Sequence, residues 1–292
     1  MNEMDDLNRP SNGPLVTVVT PSFNQGRFIR DTIDSVLSQT YPNIEYIVID
    51  GGSTDETVSI LESYCDQFFW ISEPDQGQAH AINKGWKCGK GEILAWLNSD
   101  DVYLPGAISK GVRYLLDHPE VRMVYGEAYH MTEEGQNIDR YPTEAFDVER
   151  LKETCFICQP ATFVRRAVID DVGTLDESLQ FSMDYDLWIR LSKKHAVGHL
   201  SDYLAKSRLY AGAKTLRDRP AVYKETVTML HRHFGSVAPT WLFGYAYWLL
   251  DNRLNRSKFW HRWGFRFCLP ALYVWNFLLY NLGMPLTWLG RR

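Results

Sequence analysis

Leu15-Val-Thr-Val-Val-Thr20 is apolar or β-branched at every position, the composition of a strand buried on both faces. Pro21 and Asn24-Gln-Gly26 break the run, after which Phe28, Ile29, Ile33, Val36 and Leu37 return at helical spacing. The cycle then repeats. Ile44 to Ile49 is a second apolar run, closed by Asp50-Gly-Gly-Ser-Thr-Asp55, whose Ser/Thr/Asp cluster suits the cap of a helix carrying Val58, Ile60 and Leu61. Phe68 to Ile71 reads as a short third strand, Gln76 to Lys87 as a helix and Glu92 to Leu97 as a fourth strand. Strands alternating with helices of about 10 to 15 residues predict an α/β fold, a mostly parallel Rossmann-like sheet with helices on both faces.

Outward from this core the pattern loosens. It predicts a helix near Ala107 to Leu116, a strand near Val121 to Tyr125, a hairpin through Glu134-Gly135 and a strand near Ala161 to Val164. Further helices are expected from Asp184 to Lys194 and from Ala221 to Phe234. Residues 1–13, with few apolar positions, read as a flexible terminus.

The 292 residues are 45% apolar and 23% charged, the balance of a chain with a substantial core, which excludes disordered and collagen-like classes. A net charge of −5 argues against a nucleic-acid partner. The charge is unevenly spread. From Thr240 to Arg292 there are seven Lys/Arg and one acid, giving +6, and the first 239 residues carry −11. The tail also holds 15 of the 40 aromatics. No basic then apolar leader follows Met1 and the cysteines are odd in number, so a reducing cytoplasm is the expected compartment. Cys155-Phe-Ile-Cys158 has CxxC spacing, but no second ligand pair completes a zinc site, and two half-buried thiols are the expected reading.

Ligands bind open α/β sheets at the carboxyl ends of the strands. Three polar loops fall there: Pro21 to Gly26, Asp50 to Asp55 and Asn98-Ser-Asp-Asp101. Asp100 and Asp101 offer the oxygen ligands that Mg²⁺ or Mn²⁺ takes alongside substrate phosphates, although such a pair also serves as a solvated turn, a role Pro105 favours for Asp101. Gly51 and Gly52 permit close backbone approach beside Asp50, and a tight turn would need them too. Asp184 and Asp186 open a predicted helix, where carboxylates are ordinarily caps or dipole partners.

Taken together, these stretches carry a resemblance. Thr20-Pro-Ser-Phe-Asn24, Val48-Ile-Asp-Gly-Gly-Ser-Thr-Asp55, Ser72-Glu-Pro-Asp-Gln-Gly77, Ala81-Ile-Asn-Lys-Gly85, Gly91-Glu92, Leu97-Asn-Ser-Asp-Asp101, Gln159-Pro-Ala-Thr-Phe163 and Asp184-Tyr-Asp-Leu-Trp188 stand in the order found in family 2 glycosyltransferases of the GT-A fold. The likeness covers about Pro14 to Leu209 and resembles members that build bacterial surface polysaccharides. It implies inverting transfer from a nucleoside-diphosphate sugar, expected to be a UDP-sugar, to a saccharide acceptor. Nucleotide contacts would fall to Thr20, Pro21, Asp50, Gly52, Asn98 and Asp100, the metal, Mn²⁺ or Mg²⁺, to Asp100 with Asp101, and the catalytic base to Asp184. Asn98 stands where many members have an Asp, and Gly51 where many have a second one. Two rivals remain: a nucleotidyltransferase, which would want a more glycine-rich and basic loop after its first strand, and a non-catalytic sugar-nucleotide-binding scaffold.

Phe267 to Gly290 is a 24-residue stretch without charge, interrupted by Pro270, Asn276, Asn281, Gly283 and Pro285. A span needs about 20 apolar residues, so crossing a bilayer would be strained. The preceding uncharged run Phe234 to Leu250 and the cations Arg253, Arg256, Lys258, Arg262 and Arg266 suit an anionic headgroup interface. The expected organisation is a catalytic domain over 14–235 and membrane-associating helices over 236–292, peripheral or monotopic on the inner face of the cell membrane. A polyprenyl-diphosphate-linked acceptor fits that workplace. The same aromatics would also suit a soluble helical cap or a contact between copies in a homo-oligomer.

Overall fold

The computed structural model describes residues 13–253 and 258–282. In chain order the elements are β1 (Val16–Ser22), α1 (Ile29–Leu37), β2 (Ile44–Asp50), α2 (Thr57–Ser63), β3 (Phe69–Ser72), α3 (Gln78–Cys88) and β4 (Ile93–Trp96). There follow β5 (Val102–Tyr103), α4 (Ala107–Asp117), β6 (Val121–Met131), β7 (Asn137–Arg140), α5 (Val148–Glu153), β8 (Thr162–Arg165), α6 (Arg166–Val172) and α7 (Met183–Ser192). The chain continues through β9 (Ala196–Arg208), α8 (Lys214–Arg217), α9 (Arg219–Phe234), α10 (Pro239–Arg253) and α11 (Lys258–Asn281).

The strands form one nine-stranded sheet in the order β3-β2-β1-β4-β8-β6-β9-β5, with β7 hanging from β6. From β3 to β4 every pairing is parallel, as the alternating pattern predicts. Beyond β4 the sheet is mixed: β8 is antiparallel to β4 and β6, whereas β9 runs parallel to β6. β9 had no counterpart among the predicted elements. Its pairing with β6 shifts register at three places, and Gly198 and Ser201-Asp202 interrupt its apolar pattern, so the period of two is lost.

Successive side chains of a strand point to opposite faces, and the core divides accordingly. Val16 and Val18 of β1, with Ile93 and Ala95 of β4, pack on one face with Ile29 and Ile33 of α1 and Ile108 and Val112 of α4. Val19, Leu94 and Trp96 face the other side, against Ile82 and Trp86 of α3 and Leu187 and Trp188 of α7. Trp96 is sandwiched there, edge-on to Trp86 at 5.4 Å and stacked on Trp188 at 5.5 Å between ring centroids. This stack fixes α7 to the strand that runs into Asn98.

The expected boundary at 235 is not a break in packing. Val237, Leu242 and Tyr245 belong to the same buried cluster as Trp188 and Leu230, and Trp241 lies 6.0 Å from Tyr185 and 5.6 Å from Tyr223 between ring centroids. Helix α11 continues through Pro270, and Asn281 beyond it clasps the Val237 backbone, accepting its N–H at 2.7 Å and donating to its carbonyl at 3.1 Å. Among the described residues no helix is long and apolar enough to cross a membrane. The expectations placed on residues 1–12, on Arg256 and on the stretch from Gly283 through Pro285 to Arg292 lie outside the described residues.

Candidate active site

The loops that leave β1, β2, β3 and β4 meet along the carboxyl edge of the parallel strands, where Ser22 pairs with Asp50 and Asp50 with Ser72. The first two are clasped together. Asn24 N–H donates to Ser53 Oγ at 2.7 Å, Thr54 N–H to Asn24 Oδ1 at 2.9 Å, and Gly26 N–H to Asp55 Oδ2 at 3.0 Å.

Asp50 has no exposed surface, and its carboxylate is occupied within the chain. Oδ2 accepts from Ser53 N–H at 2.8 Å, Gly52 N–H at 3.2 Å and Ser72 Oγ at 2.7 Å, while Oδ1 takes the Ser53 hydroxyl at 2.5 Å. Thr20 is likewise enclosed, its hydroxyl 3.0 Å from that of Tyr46, and Pro21 is buried beside it. These three residues build the floor and hold the loops. Gly52 adopts φ +82, a conformation that strains any side chain, and a Cβ there would sit tightly, 3.3 Å from the Pro74 nitrogen of the loop after β3. At Gly51 a Cβ would lie 2.9 Å from an Asp75 carboxylate oxygen, so the space of the missing side chain is filled by Asp75.

Asn98 sits at the centre of an amide network. It donates to Asp101 Oδ2 and Gln159 Oε1, both at 3.2 Å, and accepts from Gln78 Nε2 at 2.7 Å, while Gln159 donates to the Trp96 carbonyl at 2.8 Å. The adjacent acids separate. Asp101 turns inward, 4% exposed, its Oδ1 accepting the Arg208 N–H at 2.9 Å. Burial, with the neighbouring Asp100 charge second, pushes its carboxyl up to about 8. The expectation that Asp101 shares a metal with Asp100 therefore meets an obstacle: both its oxygens are spent on the fold. Asp100 is partly exposed and receives the Tyr210 hydroxyl on Oδ2 at 3.1 Å, with burial holding its carboxyl above the usual range.

Asp184 lies in the first turn of α7, partly exposed, with Oδ1 accepting the Tyr185 N–H at 2.7 Å. Burial, followed by the charge of Glu225, lifts its carboxyl to about 6 against the backbone hydrogen bonds that oppose the rise. Asp186 plays a different part. It is 3% exposed and ties helices together, accepting from Arg190 Nε at 2.8 Å and sitting 2.7 Å from His233 Nε2. The buried Cys158 and Tyr141 both feel the charges of Asp101 and Asp184, so the two acidic segments act on the same buried pair. Burial raises the Cys155 and Cys158 thiols well above their usual range and both are free, so the CxxC spacing leads to two packed thiols.

The profile of the family described as "Glycosyl transferase family 2" matches residues 17–173, over half of the chain. The chain belongs to this family. A Rickettsia prowazekii (strain Madrid E) protein named as an uncharacterized glycosyltransferase is 32% identical over 212 residues, 69% of this chain and 66% of the relative. The chain spans just under two thirds of that relative's length, and about a third of the matched Rickettsia felis and Rickettsia conorii proteins. A Bacillus subtilis (strain 168) protein named for teichuronic acid biosynthesis, TuaG, is 29% identical over 67% of this chain and 79% of its own length. Among solved structures, Staphylococcus aureus TarS 1-349 with UDP-GlcNAc superposes with a TM-score of 0.62 at 16% identity, covering 93% of this chain and 82% of that one. Mannosyltransferase PcManGT from Pyrobaculum calidifontis, solved with GDP-Man and Mn²⁺, gives 0.61 at 16% identity over 94% and 88%. These likenesses establish the GT-A-type fold.

In this family 2 glycosyltransferase the matched segment contains Asp50, Asn98, Asp100 and Asp101 but ends before Asp184. Among the described residues no cluster of three or more His, Cys, Asp or Glu side chains forms a complete metal cage. One accessible carboxylate, Asp100, is a donor set that fits a hard divalent cation completing its shell with diphosphate oxygens and water. The residues that sequence reasoning missed are Arg208, Tyr210 and Glu225. Arg208 Nε reaches the Asp100 carbonyl at 2.8 Å, and Tyr210 reaches its carboxylate. Both stand at the end of β9, and without that strand nothing in the sequence pattern connects them to Asp100.

Proposed function

We propose that this family 2 glycosyltransferase transfers a sugar, with inversion, from a nucleoside-diphosphate donor to a saccharide acceptor in surface-polysaccharide synthesis. The observation that carries the reading is the placement of two partly exposed carboxylates, Asp100 in the loop after β4 and Asp184 at the start of α7, the latter with its carboxyl raised to about 6. A base of that strength is ionised at neutral pH and still accepts a proton from a hydroxyl as the glycosidic bond forms. An inverting displacement needs one base on the acceptor, the part assigned here to Asp184. Asp100 would hold Mn²⁺ or Mg²⁺. When bound, such a cation supplies positive charge against the departing diphosphate. Asn98, oriented by Gln78 and Gln159, would orient the donor, and the loops built on Thr20, Pro21, Asp50 and Gly52 would bound the nucleotide through their backbones.

A UDP-sugar is the proposed donor, in keeping with TarS and its UDP-GlcNAc, with GDP-sugars the alternative that PcManGT represents. The acceptor is proposed to be lipid-linked. Supporting this, Phe243, Tyr247, Val274 and Leu282 of the C-terminal helical pair expose apolar surface, between 36% and 66% each, which suits peripheral attachment to a membrane. A thermal-shift screen of UDP, GDP, UDP-GlcNAc and GDP-mannose, with and without Mn²⁺, tests the core of the reading. A true donor raises the melting temperature with its occupancy, and the proposal fails if none does so in either condition.

A further inference from the structure

We infer that Glu225 is the positioning residue for Asp184, gripping the backbone strip that delivers the base to the start of α7. The inference rests on the reading of Asp184 as the base. Glu225 projects from α9 and gathers four donors on one carboxylate. Its Oε2 accepts the Gln180 N–H at 2.8 Å, and its Oε1 accepts the Phe181 N–H at 2.7 Å, the Ser182 N–H at 2.8 Å and the Ser182 hydroxyl at 2.9 Å. Three successive amides turned onto one carboxylate from another helix leave the strip little freedom to shift.

The local capping pattern shows what this grip replaces. Ser182 occupies the N-cap of α7 yet makes no side-chain bond to its own helix, because its hydroxyl goes to Glu225. The amide of Tyr185 in the first turn is thereby left to Asp184, which takes it at 2.7 Å. The strip also approaches the loop after β3. A Cβ on Gly77, in the loop after β3, would lie 3.4 Å from the Gln180 side-chain oxygen, and Lys214 reaches the same oxygen at 3.4 Å while lying 5.3 Å from the centre of the Phe181 ring. Glu225 thus fixes a segment that lies between the base and the loop after β3.

The negative charge of Glu225 acts on the base as well. Burial and then Glu225 raise the Asp184 carboxyl. The other titratable groups facing Asp184 are Tyr185 on α7, Cys155 and Cys158 ahead of β8, and Tyr141 after β7, with Lys214 facing Glu225 itself. A neutral side chain at 225 removes a like charge, so the Asp184 midpoint falls. A merely structural tie would not do this, and the fold supplies a control for one: His233, 2.7 Å from Asp186, joins the same two helices without touching the strip.

The test uses the full chain labelled with carboxyl ¹³C-aspartate, the Asp184 signal being assigned by its loss in Asp184→Asn. Titrations are run on the parent, Glu225→Gln and His233→Ala, with UDP affinity in Mn²⁺ and release of UDP from UDP-GlcNAc measured alongside. In Glu225→Gln the Asp184 midpoint moves to lower pH, turnover falls about 10- to 100-fold, as for a misplaced catalytic group, and UDP affinity is unchanged. His233→Ala lowers the melting temperature and leaves the midpoint in place. A parental midpoint and turnover in Glu225→Gln, or the same changes in His233→Ala, overturns the inference. If Glu225→Gln does not fold, Ser182→Ala, which removes one of the four bonds, is expected to lower turnover several-fold at unchanged UDP affinity, and parental turnover there overturns it equally. Asp184→Asn keeps the two levels apart: full turnover in it defeats the base assignment itself, whereas a dead Asp184→Asn beside a parental Glu225→Gln defeats only the role of Glu225.

Discussion

The backbone N–H of Arg208 donates to the buried carboxylate of Asp101 at 2.9 Å. The guanidinium of Arg208 meanwhile reaches the carbonyl of Asp100 at 2.8 Å and Asp31 at 2.9 Å, and lies 4.6 Å from the centre of the Phe28 ring. The last residue of β9 therefore braces both members of the acidic pair, one through its backbone and the other through its side chain.

Arg208→Met tests that brace. It keeps an unbranched stem over Phe28 and removes the charge, stranding the Asp100 carbonyl. Because Asp31 is 59% exposed, water recovers part of the loss, and the expected destabilisation is about 1–3 kcal/mol rather than the larger cost of breaking a fully buried pair. Donor affinity in Mn²⁺ should fall with it. Calorimetry and thermal melts check this, and a parental melting temperature would show that the guanidinium is dispensable.

The acids themselves should separate in experiment. Asp100→Ala is expected to abolish the gain in UDP affinity that Mn²⁺ gives, with a small effect on melting, because its carboxylate is partly exposed. Asp101→Ala empties a buried network that holds Arg208 and Asn98, so it should cost about 1–3 kcal/mol of stability. Titration calorimetry with and without Mn²⁺ distinguishes them. Equal loss of the metal effect in both variants, at equal stability, would show that Asp101 ligates after all.

Much of this was legible in the sequence, and the reasons for the gaps are physical. β1, β2 and β4 are parallel strands buried along all or most of their length, so their apolar runs are nearly continuous and the loops after them could be placed at one sheet edge. Asp50 and Asp101 illustrate the limit. Position at a strand end does not say whether a carboxylate looks outward or spends its oxygens on neighbouring serines or a strand amide. Arg208, Tyr210 and Glu225 act across 43 to 110 residues of chain, a separation that no local period encodes.

Asp184 carries a stability signature. Its carboxyl is raised in the folded chain to about 6, above the usual value near 3.9, so the folded state favours the protonated form. The stabilisation is present below pH 4 and is lost as pH rises through 6. Asp184→Asn cannot ionise and should be more stable than the parent at pH 8 by on the order of 2 kcal/mol, read from denaturant melts, with the gap closing toward pH 4. A gap that is constant with pH would mean that burial does not strain this group.

Asp186 gives the opposite sign. Against the desolvation that raises it, His233 and Arg190 hold its carboxyl below the usual range. Its contribution is therefore present at neutral pH and lost as pH falls below about 4. Asp186→Asn should cost about 3–5 kcal/mol near pH 7, as expected for a broken buried pair, and flatten the acid side of the stability curve. Urea melts from pH 3 to pH 7 read both effects, and an unchanged acid slope would remove Asp186 from the account.

The C-terminal helices give the last prediction, in which stability and membrane binding should come apart. Leu242 has no exposed surface and lies in the core that α10 shares with α7 and α9, so Leu242→Ala should cost about 2–5 kcal/mol. A chain stopped at Gly235 would bare Val227, Met229 and Leu230 to water and should aggregate or melt far below the parent, although it contains every residue assigned to donor binding. Phe243 and Val274 point the other way, 50% and 51% exposed. Replacing both by Asp removes apolar area from the outer face alone, so the melting temperature should change little while sedimentation with anionic liposomes falls. If the double variant pellets with liposomes as the parent does, the membrane contact is not on this face. If the Gly235 truncation stays monomeric with a parental melt, α10 is an appendage and not part of the core, and the packing of Trp241 against Tyr185 contributes nothing to holding α7 in place.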